Sequence, residues 1–241
     1  IMNYNDSSIE EENDWILFGI HLEEAKRIGV EAISVDVWWG SVEVQNNQFN
    51  WSYYIRVFNM IISNGLDIIP IMSFHSFDPG KDAAFSAPIP DWVWELISQE
   101  SGFNIQDLKY NSEDVSKNGD HKLSDEYVSL WADEWAFLQY EEFIEEFIKM
   151  YDSYLESFQE INISLGPTGE LRYPSYNGHD SGSYPNRGRL QCFSKLAKNN
   201  YLKWLKSNKL ENDLIKSEFI NSSDLKYKLE NKNYLKDPDI K

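Results

Sequence analysis

The sequence predicts an α/β protein of the (β/α)8 TIM-barrel type, with this chain covering only part of the barrel. Three observations carry that expectation. Segments with helical apolar spacing alternate along the chain with segments of strand spacing. Each strand pattern sets an aliphatic face against a polar one. Helices stand between the strands, which is the order that builds parallel β-α units and closes best as an eight-stranded barrel.

Trp15, Phe18, Leu22, Ala25 and Ile28 recur at three- and four-residue spacing, so the first element is an amphipathic helix with these residues on its apolar face, ending near Gly29. A strand follows at 32–38, where Ile33, Val35 and Val37 alternate with Ser34 and Asp36. A second helix at 52–63 leads into a second strand at 66–75. Residues 88–99 and 140–157 read as two further helices, separated by a polar insertion loop at 101–120 that is rich in Ser, Asn, Asp and Gly. In the third strand pattern, 159–165, Ile161, Ile163 and Leu165 share one face and Asn162 and Ser164 the other. Its C-terminal end runs into a Gly- and Pro-containing turn that carries Glu170 among Tyr173 and Tyr176. The tail at 207–241 is polar and contributes little core, with two short helical patterns at 213–219 and 224–230.

In a barrel, Ser34, Asp36, Ser73, His75, Asn162 and Ser164 point inward while the Ile and Val residues face the helices. Alternation alone also fits, as the lesser reading, a sheet with one wet face, and the intervening helices favour the barrel. Only three convincing strands are present, whereas a complete barrel typically takes about 250 residues. The chain of 241 residues therefore reads as a single partial β/α-barrel domain over 1–241.

Composition narrows the function. With 40 acidic against 22 basic residues the net charge is −18, which opposes binding to nucleic acid or an anionic membrane, because phosphate contacts need clustered Lys and Arg. The single cysteine, Cys192, excludes an internal disulfide framework and a zinc ligand set. No apolar run is long enough to span a bilayer, and the first residues show no secretory signal, so the chain reads as soluble and cytoplasmic. His21, His121 and His179 have no ligand-like spacing, and neither metal nor cofactor is expected.

Four blocks of sequence carry a resemblance. Val35-Asp36-Val37-Trp38-Trp39-Gly40, Ile71-Met72-Ser73-Phe74-His75, Pro88-Ile89-Pro90-Asp91-Trp92-Val93 and the turn from Leu165 through Glu170 to Tyr176 together resemble the beta-amylases, in the same order and with comparable spacing. The similarity runs from Trp15 to Ala197 and corresponds to about the first half of a beta-amylase. Members of that family are inverting exo-glucanases that release maltose from the non-reducing ends of starch. The resemblance implies Glu170 as general acid, and Asp36 and His75 as hydrogen-bonding partners of the terminal glucose. Asp82 matches a further sugar-binding aspartate on a loop that closes over the substrate. This loop lacks the family's glycine-rich stretch, and Asp78 competes for the role. The implied partner is an alpha-1,4-glucan such as starch, amylopectin or a maltooligosaccharide. The family's general base, a second glutamate, lies in the half of the barrel with no counterpart here.

Inverting hydrolysis needs a protonated carboxyl group on the leaving oxygen and a carboxylate that activates water from the opposite face. Burial of Glu170 among aromatic side chains would raise its pKa as that role demands, whereas Arg172 would oppose the shift. Read without the resemblance, His75 and Asp36 fit structural hydrogen bonding as well as ligand binding, and Trp38 and Trp39 fit sugar stacking and barrel sealing equally. Two other functions remain open: a retaining β/α-barrel glycosidase, and a catalytically silent glucan-binding protein.

Overall fold

The computed structural model describes residues 9–77, 85–166, 169 and 190–208. In chain order its elements are helix α1 (Ile9–Arg27), strand β1 (Ala32–Trp38), helices α2 (Trp39–Val42) and α3 (Ser52–Ser63), strand β2 (Asp67–Ser73), helices α4 (Asp91–Ser101) and α5 (Ile105–Leu108), strands β3 (Tyr110–Val115) and β4 (His121–Ser124), helix α6 (Asp133–Met150), strand β5 (Asn162–Ile163) and helix α7 (Lys195–Ser207). They fall into two compact units. One comprises Ile1–Ile105 with Asp125–Arg172, the other Gln106–Ser124 with Tyr173–Lys241.

The first unit is built on a parallel sheet of order β1-β2-β5. Asp36 pairs with Ile71 and Ile71 with Asn162, so the predicted polar positions of all three strands do share one face. On the opposite face Val37, Ile68 and Met72 are fully buried, and α3 packs on β2 with Tyr54, Val57, Phe58 and Ile61 buried. Aromatic side chains dominate this layer. The rings of Phe58 and Tyr151 lie 5.0 Å apart, those of Phe147 and Tyr151 4.8 Å, and Phe147 stacks on Phe158 at 5.8 Å. Such pairs each add about 0.5–1.5 kcal/mol beyond the area they bury.

Several element boundaries differ from expectation, for local reasons. Helix α1 ends at Arg27, so Ile28 falls beyond the helical phase and is 67% exposed rather than part of the apolar face. Helix α4 starts at Asp91 rather than 88, because Pro90 biases Ile89 away from helical geometry, and it ends on Gly102 at φ 71°, whose N–H donates to Ser98 O. Helix α6 begins at Asp133, with Asp133 and Glu134 complementing the helix dipole, and gives way to a 3-10 helix at Asp152–Ser157. Its buried stripe is Ala136, Tyr140, Phe143 and Phe147.

The third strand is shorter than its pattern. Only Asn162–Ile163 pairs as β5, although Gln159 N–H and Ser164 N–H still donate to Ile68 O and Met72 O. Ile161, Ile163 and Leu165 are 38%, 49% and 54% exposed, so among the described residues they do not face a helix as predicted.

In the second unit, the stretch expected as a loop at 101–120 carries the strand β3, paired antiparallel with β4. The turn between them is closed by Ser116 N–H to Asp120 O, with Gly119 at φ 89°. Glu113 N–H donates to Leu190 O and Phe193 N–H to Asn111 O, and Ser194 caps α7 through Ala197 N–H. The two helical patterns expected in the tail lie outside the described residues. Among those residues no helix is long and apolar enough to cross a membrane.

Candidate active site

The C-terminal ends of β1 and β2 bring two of the four predicted site residues together. Asp36 is exposed on the polar face of β1, and the buried hydroxyl of Ser73 donates to its Oδ1 over 2.6 Å. His75, two residues past β2, is half-buried. Burial holds its pKa below the usual histidine value, with the negative charge of Asp36 pulling in the opposite direction. Its Nδ1 is buried and has no hydrogen-bond partner among the described residues. A neutral imidazole beside an exposed carboxylate offers a donor and several acceptors, the complement that a sugar hydroxyl can use.

Trp38 forms the apolar floor beside this pair. Its ring meets His75 edge-on at 4.9 Å and lies 5.4 Å from Phe77 and 6.1 Å from Phe85. Phe77 and Ala87 exchange two backbone hydrogen bonds of 3.0 and 2.8 Å, which close the neck of the segment between them. The neck sits tightly against α2, since a Cβ on Gly40 would run into the Pro88 carbonyl oxygen. Trp39 is 1% exposed and packs below the strand ends, which removes it as a sugar-stacking platform.

Ser164 continues the ladder by other means. Phe74 N–H donates to its Oγ over 2.8 Å, so a side chain replaces the backbone acceptor where β2 and β5 separate. Beyond it the chain turns back, with Gly169 N–H donating to Gly166 O. Gly169 has φ 75°, and a Cβ there would stand 3.0 Å from His75 Cε1 and 3.5 Å from Ser164 Cβ. Glu170 follows directly in sequence but lies outside the described residues, as do Asp82 and Asp78.

The clamp at Ser164 and the close approach at Gly169 were not singled out as functional from sequence. Gly169 carries a readable signal, a glycine immediately before the candidate acid in a turn. Ser164 carries none beyond its inward place in the alternation. Among the described residues no group of three or more His, Cys, Asp or Glu side chains converges on a metal position.

Residues 13–239 match the model of glycosyl hydrolase family 14. The chain is 38% identical over 200 residues to a thermophilic beta-amylase of Thermoanaerobacterium thermosulfurigenes, covering 83% of this chain and 34% of that protein. It is 30% identical to a beta-amylase of Glycine max, over 73% of this chain and 36% of that protein. Among solved structures, the catalytic domain of a beta-amylase from Paenibacillus polymyxa superposes with a TM-score of 0.69 at 32% identity, covering 86% of this chain and 45% of that one. The chain thus spans about a third of the length of these curated relatives.

Proposed function

The chain belongs to glycosyl hydrolase family 14, and from that premise we propose that it supplies the acid-bearing, glucan-binding part of a beta-amylase. In this reading the complete protein hydrolyses alpha-1,4-glucosidic bonds of starch-like glucans from their non-reducing ends, with inversion, releasing beta-maltose. Glu170 protonates the leaving glycosidic oxygen, Asp36 and His75 hydrogen-bond the terminal glucose, and Asp82 binds sugar from the loop beyond Phe77. The general base comes from the part of the relatives' length that this chain does not span.

The observation that carries the reading is the juxtaposition at the strand ends. Asp36 and His75 converge where β/α barrels keep their active sites, and a Cβ added to Gly169, the residue before Glu170, would stand 3.0 Å from His75 Cε1. Inversion further requires a second carboxylate about 6.5–9.5 Å from the first, on the far side of the sugar ring.

Proton NMR of maltotetraose treated with this chain, beside its Glu170→Gln variant, tests the assignment. Beta-maltose formed by the unmutated protein and lost about 10²–10⁴-fold in the variant is the expected result for a protein that contains or is supplied with its base. Binding of maltotetraose without product supports the sugar contacts and places the base elsewhere. Release of the alpha anomer, or no binding at all, overturns the proposal.

A further inference from the structure

Glu43 plays no part in the chemistry proposed above, yet it is the most deeply buried carboxylate among the described residues. It lies one residue past α2 and is 1% exposed, and no Lys or Arg pairs with it among those residues. Trp39 Nε1–H donates to its Oε2 over 2.8 Å, and the backbone N–H of Asn47 donates to Oε1 over 2.9 Å. Its own carbonyl accepts from Trp92 Nε1–H over 2.9 Å. Burial pushes the carboxyl pKa up, the bonds from Trp39 and Asn47 oppose that, and Glu142 and Glu146 of α6 add to the rise.

A buried acid without a cation is costly unless hydrogen bonds answer it. Here both oxygens act as acceptors. A Gln would turn its own amide N–H towards one of the two donors, and an Asp is one methylene short. The side chain therefore specifies an arrangement as well as filling a space.

What it arranges leads to the site. The indole of Trp39 stands edge-on to Phe74 at 5.6 Å, and Phe74 also packs against Tyr140 at 4.3 Å and Phe143 at 5.7 Å. Phe74 lies between Ser73, which donates to Asp36, and His75. Trp92, on the first turn of α4, ties the segment descending from Ala87 to the same glutamate.

We propose that Glu43 is a positioning residue for the glucan-binding patch: it fixes the Trp39 indole beneath Phe74 and so holds Ser73, Asp36 and His75 in their working arrangement. The proposal rests on the reading of Asp36 and His75 as sugar contacts. It acts through Trp39 and touches no substrate.

Two readouts on the 241-residue chain separate this role from simple packing and from failure of the glucan reading: maltotriose affinity by calorimetry, and the titration of the His75 Cε1–H resonance by NMR. In Glu43→Gln we expect maltotriose to bind about tenfold more weakly and the His75 midpoint to move up towards its ordinary value, as the imidazole loses burial. A second variant, Glu43→Leu with Trp39→Phe, removes the acceptor together with the Trp39 donor and leaves the Asn47 N–H as the one donor without its carboxylate. Its affinity and His75 titration stay altered if Glu43 positions the patch. An unchanged His75 titration in Glu43→Gln overturns the proposal whether or not glucan binds, and so does a double variant that restores both readouts. If the unmutated chain binds no maltotriose while Glu43→Gln still moves His75, the glucan reading fails and the positioning of His75 stands.

Discussion

Ser73 reaches across the β1-β2 pair and donates to Asp36 Oδ1 over 2.6 Å, tethering an exposed carboxylate to a serine that is itself 1% exposed. The bond occupies one oxygen of Asp36 and orients the carboxylate. Ser73→Ala should therefore lower stability by about 1 kcal/mol in urea unfolding and weaken maltotriose binding roughly tenfold, while Asp36→Asn abolishes measurable binding without unfolding the chain. Wild-type affinity in both variants would remove the pair from the sugar site.

Ser164→Ala tests the neighbouring clamp. It strands the Phe74 N–H in a place where Phe74 is fully buried, and an unsatisfied buried donor costs about 1–3 kcal/mol. Urea unfolding should register that loss. Hydrogen exchange should localise it, with the Phe74 amide accelerated far more than the amides of α3.

Two glycines make a matched comparison. Gly119 and Gly169 both adopt positive φ, so alanine costs each about 1–2 kcal/mol of backbone strain. A Cβ at Gly119 meets nothing within 4 Å, whereas at Gly169 it stands 3.0 Å from His75 Cε1. Only Gly169→Ala should shift the His75 resonances and weaken maltotriose binding. Equal behaviour of the two variants would mean that the approach to His75 is incidental.

The depressed pKa of His75 has a definite sign in folding. The folded state takes up the His75 proton less readily than the unfolded chain, so the unfolded state binds more protons as pH falls below about 6.5. The favourable contribution is complete above that value and is lost progressively as pH drops towards the folded pKa. Urea midpoints between pH 7.5 and 5 should fall more steeply for the wild type than for His75→Asn. Parallel curves would show that His75 titrates as in the unfolded chain.

The features most legible in the sequence were those set by strict periodicity. Val35 and Val37 against Ser34 and Asp36 determine which face of β1 is polar, and the parallel direction of β2 follows from the helical crossover between them. The Asp36 and His75 positions could be read because both belong to motifs at strand ends. Helix limits were less legible, since the stripe from Ala136 to Phe147 says which face is buried but not where the first turn begins. The β3-β4 hairpin was obscured by polar composition, although Asn118-Gly119 at its turn is a hairpin signal. Glu43 was invisible as a functional candidate because its importance arises from burial against Trp39 and Trp92, which no linear spacing reports.

The edge-on contact of Trp38 with His75, at 4.9 Å between ring centroids, gives the chain an optical gauge of its own site. An imidazolium quenches indole emission at this range, whereas a neutral imidazole does so far less. The fluorescence that Trp38→Phe subtracts should therefore dim as His75 acquires charge, and a sugar that seals the patch should change it at constant pH. The state of the site can be followed by light emitted from a residue that nature already placed there, with no label attached.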